Sequence, residues 1–379
     1  MKARTYFLFM MFLILVTACI DEFWPDLSDF ESLMVVDGTL TSEPGPYYVK
    51  LSMTSDVEEP RYIPFTGCRI TIQDDAGNTE LLTETEPGTY ATAPDGIRGI
   101  TGRQYMIRIT TPEGKNYSSS YQKLLPPVGI DSVYTEVAYH ETADSWHDLA
   151  GLQFYVDTYR AETDTNYYLW QMEETFQFYS DFYIDWLYMG YFKQFNNRDS
   201  VHTCWNTQNV YEIFTASTVN LTDPILIKYP LHYVDTETRR LQVKYSLLIH
   251  QFTIDADAYS FYDQIRNLMT DEGTLYTKQP YQITGNVTSE EDPGEPVLGY
   301  FLVGGVDVKR IFVKRPVDIP FYYPECELIT DLRSLFGQPR YTWPIYVTTN
   351  AAGARGYAGN ECFDCTLNDG VLEKPDFWE

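Results

Sequence analysis

Short runs that alternate between apolar and polar residues fill the first third of the chain. In the clearest run, Tyr105, Ile107 and Ile109 fall on one face of an extended segment, opposite Arg108 and Thr110. Between the runs stand clusters of Asp, Asn, Gly and Pro, which favour tight turns. This pattern predicts a mainly β protein that begins with an Ig-like antiparallel sandwich over residues 33–125. Its predicted strands include residues 34–36, 48–53, 68–73 and 105–110.

A larger β-rich domain is predicted to follow over residues 130–379. Pro126 and Pro127 impose an extended, stiff connection and mark the boundary between the two domains. A mature chain of about 360 residues also exceeds the usual size of one domain. The predicted strands of this second domain include residues 151–159, 167–178, 243–252, 297–303 and 311–314.

One clear helix is predicted over residues 256–270. Ala258, Phe261 and Ile265 recur at helical spacing, and either Asp255 or Asp257 supplies an N-terminal cap. We expect the apolar stripe of this helix to pack on the core.

The N-terminus has the layout of a secretory signal. Lys2 and Arg4 precede an almost wholly apolar run over residues 6–17, which is too short to cross a bilayer. Leu-Val-Thr-Ala-Cys at residues 15–19 resembles a bacterial lipobox. We therefore expect a signal peptide at 1–18, lipid attachment at Cys19 and a linker at 19–32, which anchor the protein to a membrane. The alternative is an ordinary cleavable signal with a chance cysteine.

The charge of the chain excludes one class of partner. Without Lys2 and Arg4, 25 basic residues face 54 acidic ones, which gives the mature chain a formal charge of −29. Such a field repels phosphate backbones, so no nucleic-acid binding is expected. An aromatic content of 16% and a hydrophobic content of 44% nevertheless indicate a folded protein.

Five cysteines remain after the anchor, and an oxidising compartment favours disulfides among them. We expect two disulfides among four of the cysteines, with three possible pairings, and a buried free thiol at Cys68. A four-thiolate zinc site and a redox-active Cys-x-x-Cys pair are the alternatives. The four residues are Cys204, Cys326, Cys362 and Cys365.

The chain lacks the motifs of familiar catalytic sites. It has no His-Glu-x-x-His, no Gly-x-Ser-x-Gly, no P-loop and no dinucleotide fingerprint, so no catalytic, cofactor-binding or metal-binding residue is predicted. Glu173 and Glu174 are adjacent on a strand and point to opposite faces, which disqualifies them as a facing catalytic pair. The acidic run at 290–295 lacks the spacing of a calcium loop and is expected to be a solvated turn.

An aromatic segment is the richest local feature, because residues 167–195 hold 13 aromatic residues. Its first part reads as one buried strand face. The second part has no clean period and fits either loop packing or a surface that contacts a partner, a glycan or a peptide. The contact candidates are Phe182, Tyr183, Trp186 and Tyr188.

Several segments together resemble a known family. They are Asn-Tyr-Tyr-Leu-Trp at 166–170, Cys-Trp at 204–205, Gln-Ile-Thr-Gly-Asn at 282–286, Pro-Val-Leu-Gly-Tyr-Phe at 296–301 and Lys-Pro-Asp-Phe-Trp at 374–378. The chain is similar to Bacteroidota lipoproteins that carry the domain of unknown function 4249. The resemblance implies an outer-membrane lipoprotein considered alongside TonB-dependent transporters, and it implies no catalytic residue. Asp21 and Glu22 also resemble the signal that sends such lipoproteins to the cell exterior; an inward-facing lipoprotein is the alternative.

These features favour a non-enzymatic accessory lipoprotein that captures a ligand or docks on a TonB-dependent transporter. Two alternatives stay open: a surface hydrolase that acts on glycan or peptide, and a structural or adhesive surface protein.

Overall fold

A computed structural model of the protein describes residues 32–56, 60–141, 148–160, 167–270 and 283–378. The predicted signal peptide, the lipid attachment site Cys19 and the linker up to residue 31 lie outside the described residues and stay predictions.

Strands make up most of the regular structure, and the prediction of a mainly β fold with one clear helix is confirmed. No described helix combines the length and the apolar character that crossing a membrane requires. The strands are β1 (Met34–Thr41), β2 (Tyr48–Met53), β3 (Ile63–Pro64), β4 (Arg69–Asp74), β5 (Thr79–Leu81), β6 (Thr83–Glu86), β7 (Thr89–Ala91), β8 (Gln104–Thr110), β9 (Asn116–Ser119), β10 (Gln122–Lys123), β11 (Ile130–His140), β12 (Leu149–Thr158), β13 (Tyr167–Tyr179), β14 (Trp186–Tyr188), β15 (Phe192–Gln194), β16 (Thr203–Ser217), β17 (Tyr229–Asp235), β18 (Lys244–Ile254), β19 (Val287–Ser289), β20 (Leu298–Lys314), β21 (Ile345–Thr349) and β22 (Arg355–Tyr357). The helices are α1 (Ala256–Thr270) and α2 (Arg333–Phe336), and short 3-10 turns lie at Arg239–Leu241, Arg340–Thr342, Asn360–Cys362 and Cys365–Asn368.

A nine-stranded sheet organises the fold. Its order is β16-β13-β18-β20-β1-β2-β7-β6, with β3 also paired to β2. Most neighbours are antiparallel, but β1 pairs with β20 in parallel, so that Val35 lies opposite Leu298 and Thr41 opposite Gly304. The 17 residues of β20 reach from β1 to the far end of β18 and connect the two halves of the sheet.

The N-terminal sandwich forms where a six-stranded sheet, ordered β19-β9-β8-β4-β5 with β10 paired to β8, packs on β1 and β2. The alternation predicted for β8 is confirmed, since Tyr105, Ile107 and Ile109 are fully buried. These side chains meet Val36 and Leu51 from the nine-stranded sheet in one core.

A second sandwich forms where the sheet β11-β12-β17 packs on β13 and β18. Phe154 and Val156 of β12 meet Tyr168 and Trp170 of β13 in its core. The indole N–H of Trp170 donates to the side-chain oxygen of Gln251 at 3.0 Å, so the large ring is buried without an unpaired donor.

The predicted boundary at residues 126–129 is the crossing between the two sandwiches. The crossing is docked on β18: the N–H of Val128 donates to the Thr253 hydroxyl at 3.0 Å, and the side-chain amide of Gln251 donates to the Val128 carbonyl at 2.7 Å. One sheet runs through both predicted domain ranges, 33–125 and 130–379, and their division into separate domains stays a prediction.

The prediction of separate strands at 297–303 and 311–314 is wrong, because both belong to β20. Gly304 and Gly305 interrupt the apolar pattern and resemble a turn signal. In the structure they stand inside the strand, where the crossing chain passes close by: a Cβ on Gly305 would clash with the carbonyl oxygen of Leu125.

Helix α1 covers the predicted span, and Asp255 is its cap, since its carboxylate accepts from the N–H of Ala258 at 2.9 Å. Ala258 and Phe261 pack with Phe252 and Leu302 on the outer face of the nine-stranded sheet. The prediction that the apolar stripe is core packing is confirmed.

Candidate functional site

The C-terminal module, defined here as residues 180–202 and 319–378, is a small unit built around the four-stranded sheet β15-β14-β21-β22. Two disulfides hold it, Cys204–Cys365 and Cys326–Cys362. The first disulfide fastens the module to the start of β16, and the second closes the module on itself. The four cysteines predicted to form two disulfides do so.

The disulfide pairing decides between the three hypotheses for the Cys-x-x-Cys segment, which were structural disulfides, a zinc site and a redox pair. Cys362 and Cys365 bond to different partners, so they are not a redox pair with each other, and none of the four sulfurs is a thiolate that could bind zinc. Cys68 is the free cysteine of the described chain and is buried, as predicted. Burial raises the pKa of the Cys68 thiol to about 11, which makes it unreactive.

An ion pair joins the module to the second sandwich. Arg239 donates to both carboxylate oxygens of Asp181, at 2.9 and 2.7 Å. The same carboxylate accepts from the backbone N–H of Cys326 at 3.1 Å. Asp181, Cys326 and Cys362 lie close enough together to resemble a set of metal ligands. The two sulfurs, however, are bonded to each other, and the carboxylate of Asp181 already accepts the hydrogen bonds described above.

The four predicted contact residues separate by burial. Tyr188 is buried in the module core, where it packs against Phe192 and Trp343, so the predicted contact role does not apply to Tyr188. The aromatic residues of this segment show no regular spacing because they pack in a small module core, which combines side chains from two distant parts of the chain.

The other three contact candidates lie nearer the surface. Phe182 packs on Phe363. Trp186 is half-buried beneath the guanidinium of Arg355, 4.1 Å from its ring centroid. Tyr183 is exposed and is the most accessible of the three. The contact role of Phe182, Tyr183 and Trp186 stays a prediction.

Further exposed rings lie on the module: Tyr191 belongs to the predicted aromatic segment, whereas Tyr341 and Phe336 were not predicted. Tyr341 is 88% exposed, and Tyr191 and Phe336 are exposed by more than half. Two of these three lie far along the chain from the aromatic segment, so its composition gave no signal for them. Together with Tyr183 they make the module rich in accessible aromatic surface.

The module and the start of the described chain lie at opposite ends of the nine-stranded sheet. Val35, the second residue of β1, lies opposite Leu298, the first residue of β20. The other end of β20, Lys314, pairs with Lys244, which also lies opposite Gln177, just before β13 enters the module. The 17 residues of β20 correspond to about 50 Å along the strand.

A buried charged cluster lies at the edge of the second sandwich, around Glu174. As predicted, Glu173 and Glu174 point to opposite faces: Glu173 pairs with Arg310 on the outer face at 3.2 Å, whereas Glu174 turns inward and is 2% exposed. The hydroxyl of Tyr245 donates to Glu174 at 2.6 Å, and the amide of Gln208 donates to it at 2.5 Å.

A guanidinium and an imidazole complete the surroundings of Glu174. Arg240 and the Nε2 atom of His232 each lie 3.5 Å from its oxygens, an ion-pair distance longer than a good hydrogen bond. The other ring nitrogen of His232 lies 3.0 Å from Glu212. His232 therefore stands between two carboxylates.

The protonation states follow from these contacts. Burial alone would raise the pKa of Glu174, but the facing His232 and Arg240, with the two hydrogen bonds, outweigh it and lower that pKa to about 2. Burial also opposes the charged form of His232, and the two carboxylates outweigh it and raise the pKa of His232 above 6.5.

A β-bulge supplies the outer carboxylate of the cluster. The pairing of β13 with β16 shifts between Trp170 and Met172, which lie opposite Phe214 and Val210. The extra residues of β16 bring Glu212 across the edge of the sandwich to His232 on β17. Because the carboxylate of Glu174 is enclosed, it does not face a substrate, and the cluster is suited to joining two sheets.

The acidic run at 290–295 is bonded to its own chain. Glu291 accepts from the backbone N–H and the side-chain amide of Asn116, both at 3.0 Å. Glu295 accepts from Lys115 at 2.8 Å and from the Tyr117 hydroxyl at 2.9 Å. The run is a turn fastened to β9, as its spacing predicted.

Sequence reasoning missed a basic pair on the N-terminal sandwich. Arg69 of β4 and Arg108 of β8 both point outward from the six-stranded sheet and are exposed. The alternation of each strand placed them outward, but the cross-strand register that brings them together cannot be read from either strand alone.

A search of curated proteins found no match to this chain. The family model described as Domain of unknown function (DUF4249) matches residues 20–310, which include both sandwiches and the charged cluster. Because the match covers more than three quarters of the sequence, the chain belongs to the DUF4249 family.

Proposed function

We propose that the protein is a lipid-anchored lipoprotein of the Bacteroidota outer membrane, which faces the cell exterior. There it captures a ligand as a non-enzymatic partner of a TonB-dependent transporter. The observation that carries this proposal is the placement of the aromatic C-terminal module at the opposite end of β20 from the N-terminal side, where Cys19 precedes the fold. An anchor at one end leaves the module free to contact a partner at the other.

Three features support the proposal. The disulfides suit an oxidising compartment outside the cytoplasm. The exposed rings of Tyr191 and Tyr341 offer the kind of side chain that dominates protein interfaces. Glu174 is the least exposed carboxylate of the described residues, and its enclosure favours binding over hydrolysis.

The anchor is tested in the native host by metabolic labelling with a fatty acid. Label is expected on the wild type and absent from Cys19→Ala. Protease added to intact cells is expected to degrade the wild-type protein. A protein that carries no lipid, or that is protected until the cells are lysed, contradicts the proposed address.

The partner is tested by affinity purification from detergent-solubilised outer membrane. A TonB-dependent barrel is expected to co-purify with the wild type, and at least tenfold less with the double variant Tyr191→Ser/Tyr341→Ser. Tyr211→Ser is the matched control, because Tyr211 is 82% exposed but lies on β16, outside the module. Absence of a barrel, or equal loss with the control, contradicts the docking role of the module.

A further inference from the structure

The outward face of the six-stranded sheet holds two neighbouring arginines that form no ion pair among the described residues. In the pairing of β4 with β8, Arg69 lies opposite Thr110 and Arg108 lies opposite Thr71. The two arginines are therefore diagonal neighbours on one face, with Cβ atoms about 7 Å apart. Within the described residues, neither guanidinium forms an ion pair or a hydrogen bond.

Like charges at this separation repel each other. The chain has 54 acidic side chains and only 27 basic ones, yet these two arginines form no ion pair in the described part of the chain. The two arginines line a recess of about 240 Å³, together with Thr71, Thr110 and Asn116. A guanidinium is a planar donor fork that matches a carboxylate, a sulfate or a phosphate. The recess therefore has the chemistry of an anion site on rigid strands.

A second recess, of about 530 Å³, adjoins the first. Ser118 of β9 lies opposite Arg108 on one side and opposite Thr288 of β19 on the other, and the second recess begins at Ser118 and Thr288. The two recesses are thus neighbours along one cross-strand row.

The second recess is lined mainly by neutral hydrogen-bonding groups, and the carboxylate of Asp257 also lines it. The hydroxyls of Ser118, Thr284 and Thr288 have no partner among the described residues. Phe261 and Tyr300, with ring centroids 4.8 Å apart, form its apolar floor. Free hydroxyls above an aromatic floor suit a polyhydroxylated ligand, because such a ligand offers both hydroxyl groups and C–H faces.

We propose that this face binds an acidic saccharide, with its sugar hydroxyls in the second recess and its carboxylate or sulfate against Arg69 and Arg108. The proposal deepens the proposed function, on whose ligand-capture role it rests, by naming the class of ligand. A neutral sugar leaves the two guanidiniums unsatisfied. A simple anion leaves the hydroxyl-lined recess unused.

The negative charge of the whole chain does not prevent such binding. At physiological ionic strength the screening length is about 8 Å, so two guanidiniums in contact with an anion outweigh carboxylates that lie farther away. The exposed side chain of Glu290 lines the same recess as the arginines and is the acidic group that opposes the anion most directly. Its removal provides a test of opposite sign.

The test is calorimetric titration of the purified mature protein in detergent. The probes are oligogalacturonate, which carries carboxylates, a chondroitin sulfate oligosaccharide, which carries both carboxylates and sulfates, and the neutral maltohexaose. At least one acidic probe is expected to bind, and maltohexaose at least tenfold more weakly. Binding of oligogalacturonate identifies a carboxylate as sufficient, whereas binding of the chondroitin probe alone points to the sulfate.

Variants separate the site from general charge. Arg69→Gln and Arg108→Gln are each expected to weaken binding about tenfold. Arg108→Lys is expected to have an intermediate effect, because it keeps the charge but not the donor fork. Glu290→Gln is expected to strengthen binding a few-fold. Arg61→Gln removes the same charge from an exposed position outside both recesses and is expected to bind like the wild type.

Ser118→Ala tests the hydroxyl half of the site and is expected to weaken the acidic saccharide about threefold. Oligoglutamate and anionic phospholipid vesicles serve as competitors. If either competitor binds as tightly as the acidic saccharide and depends on Arg108 to the same extent, the site recognises charge alone and the proposal of a saccharide ligand is overturned.

Absence of binding by every acidic probe at millimolar concentration, or equal loss with Arg61→Gln, overturns the site. These measurements use purified protein and need neither a transporter nor a surface address. A failure here is therefore distinct from a failure of the membrane purification, and each can occur without the other.

Discussion

Arg239 and Asp181 form a two-pronged ion pair, with both carboxylate oxygens engaged at 2.9 and 2.7 Å. The pair lies where β13 leaves the second sandwich for the C-terminal module, and Asp181 also accepts from the N–H of Cys326. One carboxylate thus positions the module against its sandwich and orients one of the module's disulfides.

We predict that Asp181→Asn destabilises the protein by about 2 kcal/mol, because it removes charge-assisted hydrogen bonds from a nearly buried site. Reduction of Cys326–Cys362 by dithiothreitol, followed by alkylation and mass spectrometry, is expected to become faster. Asp331→Asn is the control: Asp331 pairs with Arg333 through similar contacts, but both are exposed, and the free energy of unfolding should not change. Equal behaviour of the two variants would contradict the positioning role of Asp181.

A second prediction concerns the charged cluster. Glu174→Gln is expected to lower the free energy of unfolding by about 3 kcal/mol, because it leaves Arg240 and His232 without their buried counter-charge. Urea unfolding at pH 6 measures the change. Glu173→Gln removes a carboxylate from the opposite, more exposed face and is expected to have a much smaller effect. A comparable loss of unfolding free energy in both variants would show that burial does not govern how much each carboxylate contributes to stability.

The same cluster predicts a pH dependence. The lowered pKa of Glu174 contributes stability above pH 4.5, and this contribution is lost as the pH falls towards 2. The raised pKa of His232 contributes stability below pH 6.5, and this contribution is lost as the pH rises through the folded-state value. The difference in unfolding free energy between the wild type and His232→Gln is therefore expected to be larger at pH 5.5 than at pH 9.

His202→Gln is the control for this titration. Burial lowers the pKa of His202, so its contribution has the opposite sign and declines as the pH falls. The same pH trend in both histidine variants would contradict the assignment of the effect to the two carboxylates around His232.

The two disulfides are predicted to differ in their contribution. Cys204–Cys365 closes a separation of 161 residues and Cys326–Cys362 one of 36. By loop-closure entropy, the longer loop adds roughly 1 kcal/mol more. Guanidinium unfolding of Cys204→Ser/Cys365→Ser and of Cys326→Ser/Cys362→Ser gives the comparison, and the reverse order would show that packing outweighs chain entropy here.

Gly299 is predicted to accept no side chain. Its φ of +84° disfavours other residues, and a Cβ there would clash with the carbonyl oxygen of Val36 in β1. Gly299→Ala is expected to prevent close pairing of β1 with β20 and to lower the yield of folded protein. Gly77 has a similar φ of +88° with open space around it, so Gly77→Ala should cost only about 1 kcal/mol. Thermal unfolding distinguishes the two.

Local patterns determined much of the fold. The span of α1 and its cap at Asp255 follow from helical spacing and from a carboxylate in the right place. The inward face of Tyr105, Ile107 and Ile109 follows from alternation alone. Both signals depend on residues within a few positions of one another.

What the sequence did not reveal depends on residues far apart in the chain. Gly305 resembles a break between two strands in the sequence, but it lies in the middle of β20, where the close approach of Leu125 leaves no room for a side chain. The diagonal placement of Arg69 beside Arg108 and the enclosure of Glu174 require the register between strands. The alternation of residues shows on which face of a strand a side chain lies, but only the pairing between strands shows which side chains lie next to it.

The parallel pairing of β1 with β20 also sets the order in which the molecule can form. Met34–Thr41 completes its sheet with Leu298–Gly304, more than 250 residues later. This pairing gives the fold a high contact order, and ordering the intervening chain must precede the gain from the contact. A nascent chain that ends before β20 therefore lacks one of the two neighbours of its first strand, the other being β2. The native sheet is completed only after β20 has been synthesised, and until then β1 exposes an unpaired edge that chaperones can protect.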